Sequence, residues 1–134
     1  YAAAAGDGAT LNGRMLAVAS PPSLAQALLA TGFAYDAATR REQAAAVEAL
    51  IGEVRDIRRI GAASIDLCGV AAGRLDAYAE RGLWPWDFAA GALIAAEAGA
   101  VVDALDVRDG RRLVTAVAPG IAADFAAAIA RVGL

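Results

Sequence analysis

Asp87 is the residue of this 134-residue chain best placed to do chemistry. It lies in the stretch Glu80 to Gly99, ERGLWPWDFAAGALIAAEAG, between an aromatic–proline cluster (Trp84, Pro85, Trp86) and a run of small residues (Ala89, Ala90, Gly91, Ala92). Pro85 disfavours helix in the residue before it. Asp87 is therefore predicted to open a helix, its carboxylate accepting the first free N–H groups and complementing the positive helix end. The small residues let that helix press closely against a sheet or another helix. An acid held at the mouth of a packed helix suits a metal ligand. It also suits a plain helix cap, which the local pattern by itself favours.

Two other places could carry chemistry. Gly61-Ala62-Ala63-Ser64 falls at a predicted strand-to-helix junction, where small residues let backbone N–H groups approach an anion. Close packing at a βα turn is the alternative. Glu80 follows a predicted strand and neighbours Gly82; the alternative there is an exposed edge carboxylate.

The elements that must position these groups alternate in type. Gly6-Asp7-Gly8 and Asn12-Gly13 are turn signals and predict a hairpin over residues 1–20, with Met15–Ala19 as a strand ended by Pro21-Pro22. Residues 23–34 permit a short helical turn followed by a strand. Asp36 is placed to cap a helix to Val54, with Ala44, Val47, Leu50, Ile51 and Val54 on its buried face. Ile57–Ile60 reads as a short strand. Ser64–Ala72 reads as a helix closed by Gly73. Leu75–Ala79 reads as a strand, followed by the Asp87 helix to Gly99. A strand from Val101, a turn over Asp106–Arg112 and a strand over Leu113–Ala118 come next. A last helix, Gly120–Arg131, has Ile121, Phe125 and Ile129 on one face. Strands and helices in this order give a layered α/β domain spanning residues 1–134.

Composition narrows the function. Hydrophobic residues make up 59%, but alanine supplies 39 of them and aromatics only 6% of the chain. The core must therefore be Leu, Val and Ile, with helices meeting closely through Ala and Gly. No stretch approaches the roughly 20 apolar residues of a membrane span, so a membrane location is not expected. The net charge is −3, and no basic patch stands out beyond short arginine pairs such as Arg58–Arg59 and Arg111–Arg112, which argues against nucleic acid as a partner. With no His, a Ser-His-Asp triad, a Cys-His dyad and a His-ligated zinc site are excluded within this chain. The single cysteine, Cys68, and the absence of a leader-like N-terminus fit a cytoplasmic compartment.

Several motifs in fixed order go further. R-R-I-G-A-A at 58–63, G-R-L-D-A-Y at 73–78, Glu80, W-D-F-A-A-G at 86–91 and E-A-G at 97–99 resemble the C-terminal half of the inositol monophosphatase family. The opening G-D-G-A-T-L-N-G resembles that family's central hairpin. The resemblance covers nearly the whole chain. It implies a layered α/β sandwich shared with fructose-1,6-bisphosphatases, and Mg²⁺-dependent hydrolysis of a small-molecule phosphate monoester, foremost inositol-1-phosphate. By position, Asp87 matches the family's C-terminal metal-binding aspartate. Glu80 matches the carboxylate that binds a substrate hydroxyl. Gly61, Ala62 and Ala63 match the backbone segment lining the inositol-phosphate pocket, where many members carry Thr or Ser in place of Ala62. The resemblance also implies a homodimer. Mg²⁺ prefers hard oxygen ligands, and an anionic Asp buried beside two Trp would be costly unless it met such an ion.

One departure is large. The family's other metal ligands, a Glu and an Asp-Pro-x-Asp-Gly-Thr motif, have no match here; the chain contains no Asp-Pro dipeptide and opens at Tyr1. The expectation is a C-terminal domain with no catalytic group of its own, active only with an N-terminal half. Phosphatases of the same superfamily acting on histidinol-phosphate, fructose-1,6-bisphosphate or 3′-phosphoadenosine are alternatives, as is a non-catalytic binding or dimerisation fragment.

Overall fold

The computed structural model describes all residues except Asp109, with the backbone alone described at positions 106 and 108. A three-stranded antiparallel sheet comes first: β1 (Ala2–Ala4), β2 (Gly8–Leu11) and β3 (Arg14–Met15). Both predicted turns are present. Gly6, Gly8 and Gly13 have positive φ, as does Asn12 at +51°, the backbone region those residue types tolerate best. The strand predicted over Met15–Ala19 stops at Met15. Beyond it the backbone bonds to two separate elements: Leu16 N–H to Ala9 O at 2.8 Å and Val18 N–H to Ala98 O at 3.1 Å. A strand cannot continue when its partners change from one residue pair to the next.

The second sheet has five strands: β4 (Leu28–Thr31), β5 (Asp56–Arg58), β6 (Ala77–Leu83), β7 (Val101–Arg108) and β8 (Arg111–Val117). Their spatial order is β5-β4-β6-β8-β7. β4 runs parallel to β5 and β6, whereas β8 is antiparallel to β6 and β7. A short helical turn (Leu24–Gln26) precedes β4, as the composition of residues 23–34 permits. Asp76 fixes the start of β4, its Oδ2 accepting from Leu28 N–H at 2.7 Å. Strand, not turn, occupies most of Asp106–Arg112: β7 reaches Arg108 and β8 begins at Arg111, and Asp109 lies outside the described residues. Cross-strand pairing extends there because Leu105 and Asp106 find Leu113 and Arg112 opposite them.

Four helices cover this sheet: α1 (Ala37–Leu50), α2 (Ala63–Ala71), α3 (Pro85–Glu97) and α4 (Ala122–Val132), the last preceded by a helical turn at Pro119–Ile121. One core cluster joins α2 and α3 to the sheet face bearing Ala30, Tyr78, Val114 and Ala116. The other joins α1 and α4 to Leu29, Ala77, Ala79, Leu113 and Val117. Alternation along β6 and β8 thus feeds two cores on opposite faces. The small sheet packs on the far side of α3, so the layers run sheet, helices, sheet, helices.

Caps set the helix limits. Asp36 accepts from Thr39 N–H at 2.8 Å and starts α1. Gly73, at φ +65°, ends α2 with bonds from Gly73 N–H to Val70 O and from Arg74 N–H to Gly69 O, the doubled arrangement of a left-handed helix stop. α1 ends at Leu50, four residues short of Val54, and its buried face matches the predicted one only in part, at Leu50. Ala44 and Ile51 are exposed, while Gln43, Ala46 and Leu50 are buried. The amide of Gln43 explains the rotation: it accepts from Ala34 N–H at 2.8 Å and donates to Arg81 O at 3.2 Å. A buried amide is stable only when its polar atoms are partnered, so the helix turns to deliver it.

α2 and α3 approach most closely at Gly91. A Cβ there would lie 2.9 Å from Leu67 Cβ and 3.2 Å from Ser64 Cα. Gly91→Ala is expected to force the helices apart and lower stability by about 1–3 kcal/mol, measured as a lower urea midpoint at unchanged slope. An unchanged midpoint would mean that the contact has room to give.

Candidate active site

A cavity of about 830 Å³ opens where the N-termini of α2 and α3 meet the ends of β4 and β6. Gly61, Ala62, Ala63, Glu80 and Asp87 all line it. Residues spread over 27 positions of sequence therefore converge on one space, although they come from a loop, a strand and a helix.

Glu80 lies inside β6, not after a strand as its sequence suggests, and it is half-buried. Tyr78, on the same face of β6 and fully buried, donates its hydroxyl to Glu80 Oε2 at 2.8 Å. Burial pushes the Glu80 carboxyl up from its ordinary pKa, while the Tyr78 hydroxyl and the Arg59 charge pull it back. Burial and the neighbouring Glu80 charge raise the Tyr78 phenol, which stays protonated and so remains a donor. Gly32 makes the space for this carboxylate. A Cβ at position 32 would sit 2.0 Å from Glu80 Oε2, an impossible contact.

Between Glu80 and Asp87 the chain must turn from sheet to helix. A bulge does this: pairing with β8 shifts register between Arg81 and Leu83, and Gly82 adopts φ +99°. Such bulges bend a strand and re-aim the residues beyond the bend. Pro85 then occupies the first turn of α3, a position where its missing N–H costs nothing.

Asp87 is not the N-cap. It sits three residues further in, and Trp84 holds the cap position. The carboxylate still satisfies the helix end, but by reaching back: Asp87 Oδ2 accepts from Trp84 N–H at 2.9 Å, and Asp87 N–H donates to Trp84 O at 2.9 Å. This reciprocal pair fixes the side chain without a Ser or Thr. Asp87 also lines the cavity, with its Oδ2 held by Trp84 N–H.

Gly61, at φ +92°, turns the chain from β5 into α2. Ala62 holds the cap position of α2 and supplies no side-chain oxygen to it. The Arg59 guanidinium lies against Gly61 and lines the same cavity. Trp84 and Trp86, which also line the cavity, stack at 5.1 Å between centroids with planes 13° apart, and Arg111 covers Trp84 at 5.0 Å. Trp86 remains 76% exposed.

Sequence reasoning assigned no role to three members of this region. Asp66, in the first turn of α2, is fully buried, and neither carboxylate oxygen has a hydrogen-bond partner. Its signal was available: one acid among Ile65, Leu67, Cys68 and Val70 is out of place in an apolar helix. Gly32 and Tyr78 gave no such signal, since the need for each arises from Glu80 only once the strands pair. Among the described residues, no three acids, thiols or imidazoles converge to hold a metal ion, so Asp87 is here a single candidate ligand. No helix is long and apolar enough to cross a membrane among the described residues.

Comparison with known proteins bears on the whole chain. A profile of the inositol monophosphatase family matches residues 1–132. Inositol-1-monophosphatase SuhB of Mycobacterium tuberculosis (strain ATCC 25618 / H37Rv) is 51% identical over 137 residues, covering 98% of this chain and 47% of that protein. The solved structure of Mycobacterium tuberculosis SuhB superposes with a TM-score of 0.82 at 50% identity, over 89% of this chain and 47% of that one. The inositol monophosphatase from Anabaena (Nostoc) sp. PCC 7120 superposes with a TM-score of 0.85 at 39% identity, over 96% and 52%. The chain thus spans about half the length of the curated relatives it matches. A shared profile, half-identical relatives and a shared layered α/β fold together establish that this chain belongs to the inositol monophosphatase family.

Proposed function

We propose that residues 1–134 form the C-terminal half of a Mg²⁺-dependent phosphatase that hydrolyses a small phosphate monoester, inositol-1-phosphate foremost. One observation carries the reading: Asp87, Glu80 and the Gly61–Ala63 segment line a single cavity of about 830 Å³, ample for one sugar-sized ligand. Family membership supplies the reaction class.

Each group has a stated part. Asp87 suits Mg²⁺ in the chemistry of its donor: a hard carboxylate oxygen, oriented by Trp84 N–H. When bound, the ion would neutralise phosphate charge and lower the pKa of a bound water. One carboxylate is too few for such a site, so the further ligands belong to the N-terminal half. Glu80, its Oε2 steadied by Tyr78, accepts a hydrogen bond from a substrate hydroxyl. Gly61, Ala62 and Ala63 bring backbone close to the substrate, and Ala62 leaves out the hydroxyl that Thr or Ser would add there. The guanidinium of Arg59 offers positive charge to an anionic ester in the same cavity. We propose further that the full-length enzyme is a cytoplasmic homodimer. A monomer by sedimentation velocity at micromolar concentration would remove the dimer.

The deciding experiment is phosphate release by the full-length protein with inositol-1-phosphate and Mg²⁺. Activity should vanish with EDTA and return with Mg²⁺; a full-length protein inert in Mg²⁺ would favour a non-catalytic binding role. Asp87→Asn should cut kcat at least about a hundredfold and weaken Mg²⁺ binding measured by calorimetry, because an amide is a poorer ligand than a carboxylate. Near-normal turnover at saturating Mg²⁺ would remove Asp87 from the metal site. Glu80→Gln should instead reorder preference among inositol-phosphate, glycerol-phosphate and histidinol-phosphate. The same ranking in variant and wild type would refute its contact with a substrate hydroxyl.

A further inference from the structure

Glu80 is gripped from two sides, and the grip decides what it can bind. Strand pairing sets this up. Thr31 of β4 lies opposite Ala79 of β6, so the next residues along, Gly32 and Glu80, come side by side. Gly32 leaves the room that the carboxylate fills: a Cβ there would stand 2.0 Å from Oε2 and 2.3 Å from Oε1. On the other side is Tyr78, two residues back along β6 and so on the same face. It gives its hydroxyl to Oε2 at 2.8 Å. The Tyr78 side chain is fully buried in the core that joins α2 and α3 to the sheet, so its ring is not free to swing away. The hydroxyl of Thr31 is engaged elsewhere, donating to Ala79 O at 2.8 Å.

This hydrogen bond has a direction, and the direction carries the argument. Tyr78 is the donor and Oε2 the acceptor. Oε1 has no donor among the described residues and is not a buried atom, so it opens on the cavity that Glu80 lines. A carboxylate oxygen only accepts. The group that meets Oε1 must therefore bring a hydrogen, as a hydroxyl does and a phosphoryl oxygen does not. We propose that Tyr78 and Gly32 are positioning residues that set specificity: together they hold Glu80 with Oε1 alone on offer, so the cavity favours phosphate esters whose alcohol part keeps a free hydroxyl. This inference rests on the phosphatase reading above and deepens its substrate class. A site built to bond a substrate hydroxyl rejects the analogue that lacks it, because its own polar group is then left unpaired. A phosphoryl oxygen turned toward Oε1 would meet like charge, which leaves the phosphate to the end of the cavity lined by Arg59 and Gly61–Ala63.

The experiment compares two esters on the full-length protein with Mg²⁺: inositol-1-phosphate, and p-nitrophenyl phosphate, whose leaving group has no further hydroxyl. Tyr78→Phe removes the donor and keeps the ring. It should lower kcat/KM for inositol-1-phosphate about five- to tenfold more than for p-nitrophenyl phosphate, mainly through KM. In the Glu80→Gln background the same substitution should cost no further preference, because Tyr78 acts through that carboxylate. Gly32→Ala, which displaces the carboxylate, should bring the preference down to that of Glu80→Gln; where it unfolds, Tyr78→Phe decides by itself. Equal losses on both esters would show that Tyr78 serves the fold alone and would overturn the proposal, as would full additivity in the double variant. A second readout needs no activity. The Tyr78 hydroxyl pulls the Glu80 carboxyl down, so the ¹³C titration midpoint of Glu80, identified by its loss in Glu80→Gln, should move up in Tyr78→Phe. An unmoved midpoint would show that the bond does not govern this carboxylate. An inert full-length protein would sink the phosphatase reading, while the titration would still decide the grip on Glu80. An active protein with parallel losses would sink the grip and leave the phosphatase reading standing.

Discussion

The close approach of α2 to α3 at Gly91 is the constraint on which the site depends. Only a residue without a Cβ lets α3 settle onto Leu67 and Ser64, and that contact brings the starts of both helices to one edge of the sheet. Gly61–Ala63 and Asp87 line a common cavity. A bulge at Gly82 and the space left by Gly32 complete the arrangement from the strand side, placing Glu80 between them. Three glycines, in a helix, a strand and the loop after a strand, thus decide where three chemical groups meet.

Much of this is legible in the sequence. Turn dipeptides locate the first hairpin, and the cap at Asp36 and the stop at Gly73 lie where predicted. The alternation of element types gives the α/β layers. Departures fall where tertiary partners outweigh local pattern. Gln43 rotates α1 because its amide bonds Ala34 and Arg81, and no helical periodicity encodes that. Past Met15 the chain changes partner, Leu16 N–H bonding Ala9 of β2 and Val18 N–H bonding Ala98 at the end of α3. An acid after Pro commonly caps a helix, which is why the local pattern points to Asp87 as the cap. Trp84 holds the cap position instead, because Asp87 satisfies its N–H from the third helical residue. Tyr78 and Gly32 escape notice because their significance depends on a carboxylate presented by strand pairing.

The site is also a lesson in how a fold distributes negative charge. Three acids share this region, and each is treated differently. Asp87 leans on a backbone N–H at a helix start, where the peptide dipoles favour an anion. Glu80 takes a phenol hydroxyl and keeps contact with the cavity. Asp66 receives neither donor nor solvent. The same functional group is given three different surroundings within one region of the fold.

α3 ties the two sheets together at both of its ends. Its first turn carries Asp87, and its last residue, Glu97, accepts from Gly6 and Gly8 N–H at 2.9 Å each across the turn between β1 and β2. The helix therefore works as a gauge of fixed length and fixed angle. One residue gained or lost between positions 87 and 97 would turn one carboxylate by about 100° against the other and shift it by about 1.5 Å along the axis. Surface loops elsewhere in the chain can absorb insertions over evolutionary time; this thirteen-residue helix cannot change length without uncoupling either the cavity or the hairpin.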